Sequence, residues 1–240
     1  MPPMLGQIKL LPYAFEPSGW MFCDGQILPI SENEALFNLL DNNFGGAVAE
    51  DTFAVPDLRA AAPHECRYCI SLVGTFRENY YEGVVGETFL SVVSTNPQNL
   101  SECAGQSLPT RQYLLLQTYM GTRFGGDGAN NFNLPDLRAK APAKCRYMMA
   151  VQGHDPNSPR RDAVFVGELM LLPFDVTAQS LRLCNGDLLQ VEQNKALFSL
   201  LRNRFGGDGQ KTFALPDLRA AAPPKFNYYI SLQGMLPPKT

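Results

Sequence analysis

Short apolar runs, broken by glycine, proline and polar residues, recur along the chain three times in one order. Gln7-Ile8-Lys9-Leu10-Leu11, Glu87-Thr88-Phe89-Leu90-Ser91 and Glu168-Leu169-Met170-Leu171-Leu172 each follow a glycine and predict an opening strand. A short apolar stretch then leads into a Cys-x-Gly turn. Leu36, Leu39 and Leu40 fall at helical spacing, as do Leu197, Leu200 and Leu201, and predict one short amphipathic helix per unit. Ser31, with Glu34 three residues on, reads as a capping box, and Gly45 and Gly206 are placed for a left-handed helix end. A lone apolar anchor, Phe53, Phe132 or Phe213, marks the following loop. Each unit closes on a strand whose alternate residues share one face: Cys66, Tyr68, Ile70 and Leu72; Cys145, Tyr147, Met149 and Val151; Phe226, Tyr228, Ile230 and Leu232. Period-2 spacing predicts that this face is the buried one.

The repetition is exact enough to define units. Phe44-Gly45-Gly46, Phe124-Gly125-Gly126 and Phe205-Gly206-Gly207 are spaced 80 and 81 residues apart. Cys23, Cys103 and Cys184, each two residues before a glycine, have the same spacings. Pro56-Asp57-Leu58-Arg59 returns as Pro135-Asp136-Leu137-Arg138 and Pro216-Asp217-Leu218-Arg219. Three markers in one order at one period establish a threefold internal repeat. It divides the chain at residues 1–76, 77–154 and 155–240, the middle unit being the most diverged. The fold class expected is α+β, three tandem small units of short strands with one helix each. The joints, Arg77 to Gly83 and His154 to Asp162, are too short to be flexible linkers. Units of about 70–80 residues are near the lower limit for an independent core, so the three are expected to pack on one another.

Composition narrows the function classes. With 240 residues, 45% of them hydrophobic, the chain has enough apolar material for a core. A formal net charge of −3 leaves no basic stripe for nucleic acid. No apolar run is long enough for a membrane helix. The first residues, Met1-Pro2-Pro3-Met4-Leu5-Gly6, lack the basic and apolar regions of a signal peptide. Two histidines, His64 and His154, at non-equivalent positions leave little for metal sites or triads. No cofactor or metal site is expected.

The repeated Pro-Asp-Leu-Arg has a local reading: proline fixes φ, aspartate accepts turn N–H groups, leucine anchors to the core, and arginine makes a fork to a carboxylate or to carbonyls. No base or nucleophile travels with the aspartate. Gly-Gly-Asp-Gly, at 125–128 and 206–209, is read as a tight turn, since a calcium loop needs more than one acidic ligand. Cys66-x-x-Cys69 has metal or redox spacing, but its parity puts the two thiols on opposite faces of a strand, and Phe226 stands in Cys66's place in unit three. Cys23, Cys66, Cys69, Cys103, Cys145 and Cys184 are either small buried residues or cross-links. Cys23–Cys66 and Cys103–Cys145 are one pairing the sequence allows, leaving Cys184 and Cys69 to bridge neighbouring chains. Trp20, replaced by Leu100 and Leu181, reads as core.

Together, Gly6 to Leu10, Gly19-Trp20-Met21-Phe22-Cys23-Asp24-Gly25-Gln26, Leu28-Pro29-Ile30-Ser31, Ala35-Leu36-Phe37 and Thr52 to Arg59 resemble the phage tail collar domain, found in phage short tail fibres and in bacterial "microcystin-dependent" proteins. Unit three resembles it through Cys184-Asn185-Gly186 and Phe213 to Arg219, and unit two keeps the glycines, the cysteine and Pro135 to Arg138. The resemblance implies a non-enzymatic domain that works as a trimer in tail fibres. Three units in one chain then imply a pseudo-threefold trimer. The sequence departs from tail fibres in lacking a receptor-binding tip with its metal-binding histidines, so receptor binding does not carry over.

The function expected is a structural assembly protein of a phage tail, tail-like particle or extracellular filament, in a virion or at a cell surface. Its partners would be copies of itself and other tail or surface proteins. A surface-glycan adhesin is the alternative, with Tyr80 and Tyr81 as the stacking residues. Strand edges, Met1 to Leu5 and Met235 to Thr240 are expected donors for contacts between copies.

Overall fold

The computed structural model describes residues 4–63, 65–74, 83–92, 99–158 and 165–238. Each unit repeats one order of elements. Unit one has β1 (Gln7–Leu11), β2 (Trp20–Phe22), β3 (Ile27–Pro29), α1 (Glu34–Leu40), β4 (Thr52–Ala54) and β5 (Arg67–Ser71). Unit two has β6 (Thr88–Ser91), β7 (Leu100–Glu102), β8 (Ser107–Pro109), α2 (Leu114–Met120), β9 (Asn131–Asn133) and β10 (Arg146–Ala150). Unit three has β11 (Leu169–Leu172), β12 (Leu181–Leu183), β13 (Leu188–Gln190), α3 (Lys195–Leu201), β14 (Thr212–Ala214) and β15 (Asn227–Ser231). Strands dominate, and the helices are seven residues each, so the α+β expectation becomes a mostly β fold with three short helices.

The first, second and last strands of every unit join one curled antiparallel sheet of nine strands. Within a unit the closing strand lies between the other two, as β1–β5–β2, β6–β10–β7 and β11–β15–β12. The opening strands link the units: β1 pairs with β6 through Ile8 and Leu90, and β11 with β6 through Leu171 and Thr88. The remaining strands form three separate two-stranded ribbons, β3–β4, β8–β9 and β13–β14, each placing its anchor phenylalanine at full burial.

One hydrophobic cluster draws on all three units, with Ile8, Ile70, Leu90, Met149, Leu171 and Ile230 all within it. The expected face of each closing strand contributes to it, but the other face is buried too. Cys69 and Ser71 are both 0% exposed, and Cys69 packs in a second cluster with Leu11, Tyr13, Trp20 and Phe22. Strand parity identifies two faces but cannot say that only one is covered. Trp20 is core, as expected.

The helices bury their predicted stripe through Leu36 and Leu40, Leu116 and Met120, and Leu197 and Leu201. Their ends differ from expectation. Asn33 is the N-cap of α1, without a side-chain capping bond, and the Ser31 hydroxyl donates instead to Asp51 at 2.5 Å. Asn33 serves the preceding ribbon, donating Nδ2–H to the Pro29 carbonyl. The helix ends at Asp41, φ 53°, four residues before Gly45. The Phe-Gly-Gly glycines have another use. At Gly46, φ 89°, an added Cβ would stand 2.4 Å from the Phe53 Cα, so only glycine lets the loop lie against the ribbon that carries the anchor.

Candidate functional site

The two strongest repeated motifs, Cys-x-Gly and Pro-Asp-Leu-Arg, form one joint. The Leu58 N–H donates to the Cys23 carbonyl at 2.7 Å, Leu137 to Cys103 at 2.8 Å, and Leu218 to Cys184 at 2.9 Å. Gly25 and Gly105 return bonds to the Pro56 and Pro135 carbonyls. In each copy proline and leucine are buried while aspartate and arginine are exposed. Arg59 Nε and Nη2 grip both oxygens of Asp57 at 2.9 and 2.6 Å, and the Arg59 backbone N–H donates to the same carboxylate. Arg138 with Asp136, and Arg219 with Asp217, repeat this geometry. The forks satisfy each carboxylate inside the motif and hold Asp57 and Asp136 down at about 2. The arginine side chains are 63–64% exposed, so the fork closes a surface turn and does not tie into the core.

The acidic glycine loops are turns of the same kind. Asp127 Oδ1 accepts N–H bonds from Ala129, Asn130 and Asn131, and Asp208 Oδ1 from Gln210, Lys211 and Thr212. Those backbone donors hold both carboxyls at about 2. Among the described residues no three of His, Cys, Asp or Glu gather as a metal site, and no helix is long and apolar enough to cross a membrane.

All six cysteines are free and buried. The pairings Cys23–Cys66 and Cys103–Cys145 are not formed, and Cys184 and Cys69 are buried within the chain. Cys66 and Cys69 sit in different clusters on opposite sides of the sheet. Cys23 lies within electrostatic reach of Cys69 of its own unit and of Cys145 of unit two, and Cys184 within reach of Cys66 of unit one. Burial pushes every one of them up, Cys145 to about 11 and Cys66 to about 12.

Contacts between units fall at equivalent positions. Two residues before each closing strand stand Glu65, Lys144 or Lys225, all at left-handed φ. Lys144 donates to the Asn43 carbonyl of unit one, and Lys225 to the Arg123 carbonyl of unit two at 2.7 Å. At the third position Arg204 of unit three donates Nε–H to the Glu65 carboxylate of unit one at 2.6 Å. Arg123 donates Nη1–H to the Pro173 and Lys225 carbonyls, whereas Arg204, turned to Glu65, leaves Nη1 buried without a partner. A cleft of about 540 Å³ lies here, lined by Glu65, Arg204, Phe205 and the Asp217–Arg219 fork.

The segments after the opening strands of units one and three lean on a neighbouring unit as well. Tyr13 donates to the Val166 carbonyl at 2.5 Å, and Phe174 stacks on Tyr119 with ring centroids 4.9 Å apart. Phe174 needs Gly86, where a Cβ would meet its ring at 2.4 Å. Tyr68, Tyr147 and Tyr228, one from each unit, come within interaction distance of one another. The tail is occupied within the chain: the Val166 N–H donates to the Met235 carbonyl, and Ser18 to Pro238. Leu5 is buried and Met4 packs against the cluster that holds Phe89, so the described parts of both ends are held within the chain. Met1, His64, Tyr80, Tyr81 and Thr240 lie outside the described residues.

These cross-unit contacts were missed in the sequence because no motif marks them. The one available signal was the sign change from Lys144 and Lys225 to Glu65, matched by arginine at 204.

The family model of the phage tail collar domain matches residues 6–63, 86–142 and 167–223. No curated protein and no solved structure matches the chain.

Proposed function

Since the chain belongs to the phage tail collar domain family, we propose that it is a non-enzymatic structural subunit of a phage tail or tail-like particle, in which one polypeptide does the work of a collar trimer. In this reading units 1–76, 77–154 and 155–240 surround a pseudo-threefold axis. The observation that carries it is directional. Unit two reaches unit one through Lys144, unit three reaches unit two through Lys225, and unit one meets unit three through Glu65. Three heterologous contacts in one sense close a ring. The three neighbouring tyrosines and the hydrophobic cluster shared by all three units support the same axis. The Pro-Asp-Leu-Arg joints serve as scaffold, each locking a turn at the rim of its unit.

Closure uses the unit-to-unit faces, so contacts between copies and with other tail proteins draw on the remaining surface. Ile27, Leu114 and Leu188, each more than 60% exposed, are apolar positions available there. Location in a virion, or at a cell surface in a tail-like assembly, follows from this role. Light scattering over a range of concentrations, followed by electron microscopy, tests the reading. Three-lobed particles that associate as concentration rises are expected. A strictly monomeric 26.5 kDa species at every concentration would remove the self-assembly part, and separated lobes would remove the ring.

A further inference from the structure

Where the opening strands of the three units meet, charge is distributed unequally. The residue after the opening glycine is Gln7, Glu87 or Glu168, and two positions on stand Lys9, Phe89 and Met170. Lys9 Nζ lies 3.2 Å from Glu87 Oε1 of unit two and bonds Glu168 Oε1 of unit three. Both carboxylate side chains are 6% exposed and the lysine 15%. The second oxygen of each carboxylate serves its own unit: Glu168 Oε2 accepts the Phe165 N–H at 3.0 Å, and Glu87 Oε2 the Val84 N–H at 3.4 Å. The inward oxygens therefore converge on one ammonium, with Tyr13 close enough to feel both Lys9 and Glu168.

We propose that Lys9 makes the three units obligate, non-interchangeable partners: it is the interface cation that unit one alone supplies to two acidic sibling units. The proposal rests on the ring reading above and adds an order to it. Unit two or unit three in the place of unit one would bring a third carboxylate and, instead of the ammonium, a phenylalanine or a methionine. Like charges buried together without a counter-ion disfavour that ring strongly. Glu65 with Arg204 marks the same exception at the outer contact, since it too is the point where unit one differs from its siblings.

A mutant cycle on the full chain tests this. Lys9→Met keeps the volume and removes the charge, and is expected to lower the Tm by on the order of 10 °C. Glu87→Gln or Glu168→Gln should lower the Tm in the unmodified chain but raise it in the Lys9→Met background, a reversal that loss of packing cannot produce. If the glutamine changes shift the Tm the same way in both backgrounds, Lys9 does not set the order. Should Lys9→Met prove insoluble, the triple variant with both glutamines must recover soluble, folded protein, and failure to do so overturns the proposal. Three separate melting transitions in the unmodified chain would overturn the ring itself. A single transition without the reversal would overturn only the role of Lys9.

Discussion

Truncating Leu58, Leu137 or Leu218 to alanine removes a buried isobutyl group from the joint between two turns, where the leucines are at most 4% exposed. Each change should cost about 2–5 kcal/mol in urea unfolding. Arg59→Ala, Arg138→Ala and Arg219→Ala should leave the urea midpoint close to the original, because exposed ion pairs contribute little. The thiols are expected to be silent. With all six buried and their thiolates disfavoured, a disulfide reagent should label none in the native chain and six after denaturation. Early labelling of Cys69 or Cys184 would contradict the packing described. The leucine of the motif was legible as an anchor from its sequence. The arginine's role was half legible: a fork to a carboxylate was expected, but its partner two residues away keeps the guanidinium at the surface. Residue type alone does not distinguish that from a buried fork.

At the scale of elements, the acidic turns give the chain an acid limb. Asp127 and Asp208, whose carboxylates accept backbone N–H bonds inside their loops, sit at about 2 in the folded chain, below the unfolded value of about 3.9. A carboxyl lowered by folding stabilises above its unfolded value, and that stability is lost as pH falls toward the folded one. The urea midpoint should therefore decline between about pH 4 and about pH 2, and Asp127→Asn with Asp208→Asn should flatten the decline. An unchanged slope would mean that the loop bonds do not persist in solution. Opening strands, closing strands and helix stripes lie where the apolar periodicity put them. The anchor phenylalanines, expected in a loop, sit on the ribbon strands β4, β9 and β14, because a three-residue strand with one large apolar side chain leaves no periodicity to read. Helix ends were not legible either, because Ser31 and Gly45 satisfy capping patterns while bonding elsewhere, Ser31 to Asp51 and Gly45 to the ribbon at Ala54. A capping box is a local rule, and here a contact twenty residues away outcompetes it.

For the whole molecule, one core shared by three units predicts one transition. Phe226 of unit three lies in the cluster shared by all three units and packs on Phe124 of unit two, with centroids 5.8 Å apart. Phe226→Ala should cost about 3–5 kcal/mol. Trp20, the chain's single tryptophan, sits in unit one. Its emission should nevertheless shift to the same lower denaturant midpoint as the circular dichroism, as two-state behaviour requires. A tryptophan transition that ignores the substitution would show unit one folding alone. The repeat and its period were plain in the sequence, but the partners across units were not. Periodicity aligns Glu65 with Lys144 and Lys225 without saying that each touches a different helix end.

That alignment has a bearing on how the protein can change over generations. In an assembly of three identical chains, any substitution at this position is made three times, so a cost of about 2 kcal/mol becomes about 6, comparable with the whole stability margin of a folded domain. In a single chain carrying three non-identical copies the same substitution is felt once. A lysine can become a glutamate while its two counterparts stay as they are, and a compensating arginine can follow in one unit alone. Covalent linkage thus divides the penalty of each trial by three. Positions that an assembly of identical chains holds fixed become free to drift one copy at a time, which is the condition under which three equal surfaces can acquire three separate uses.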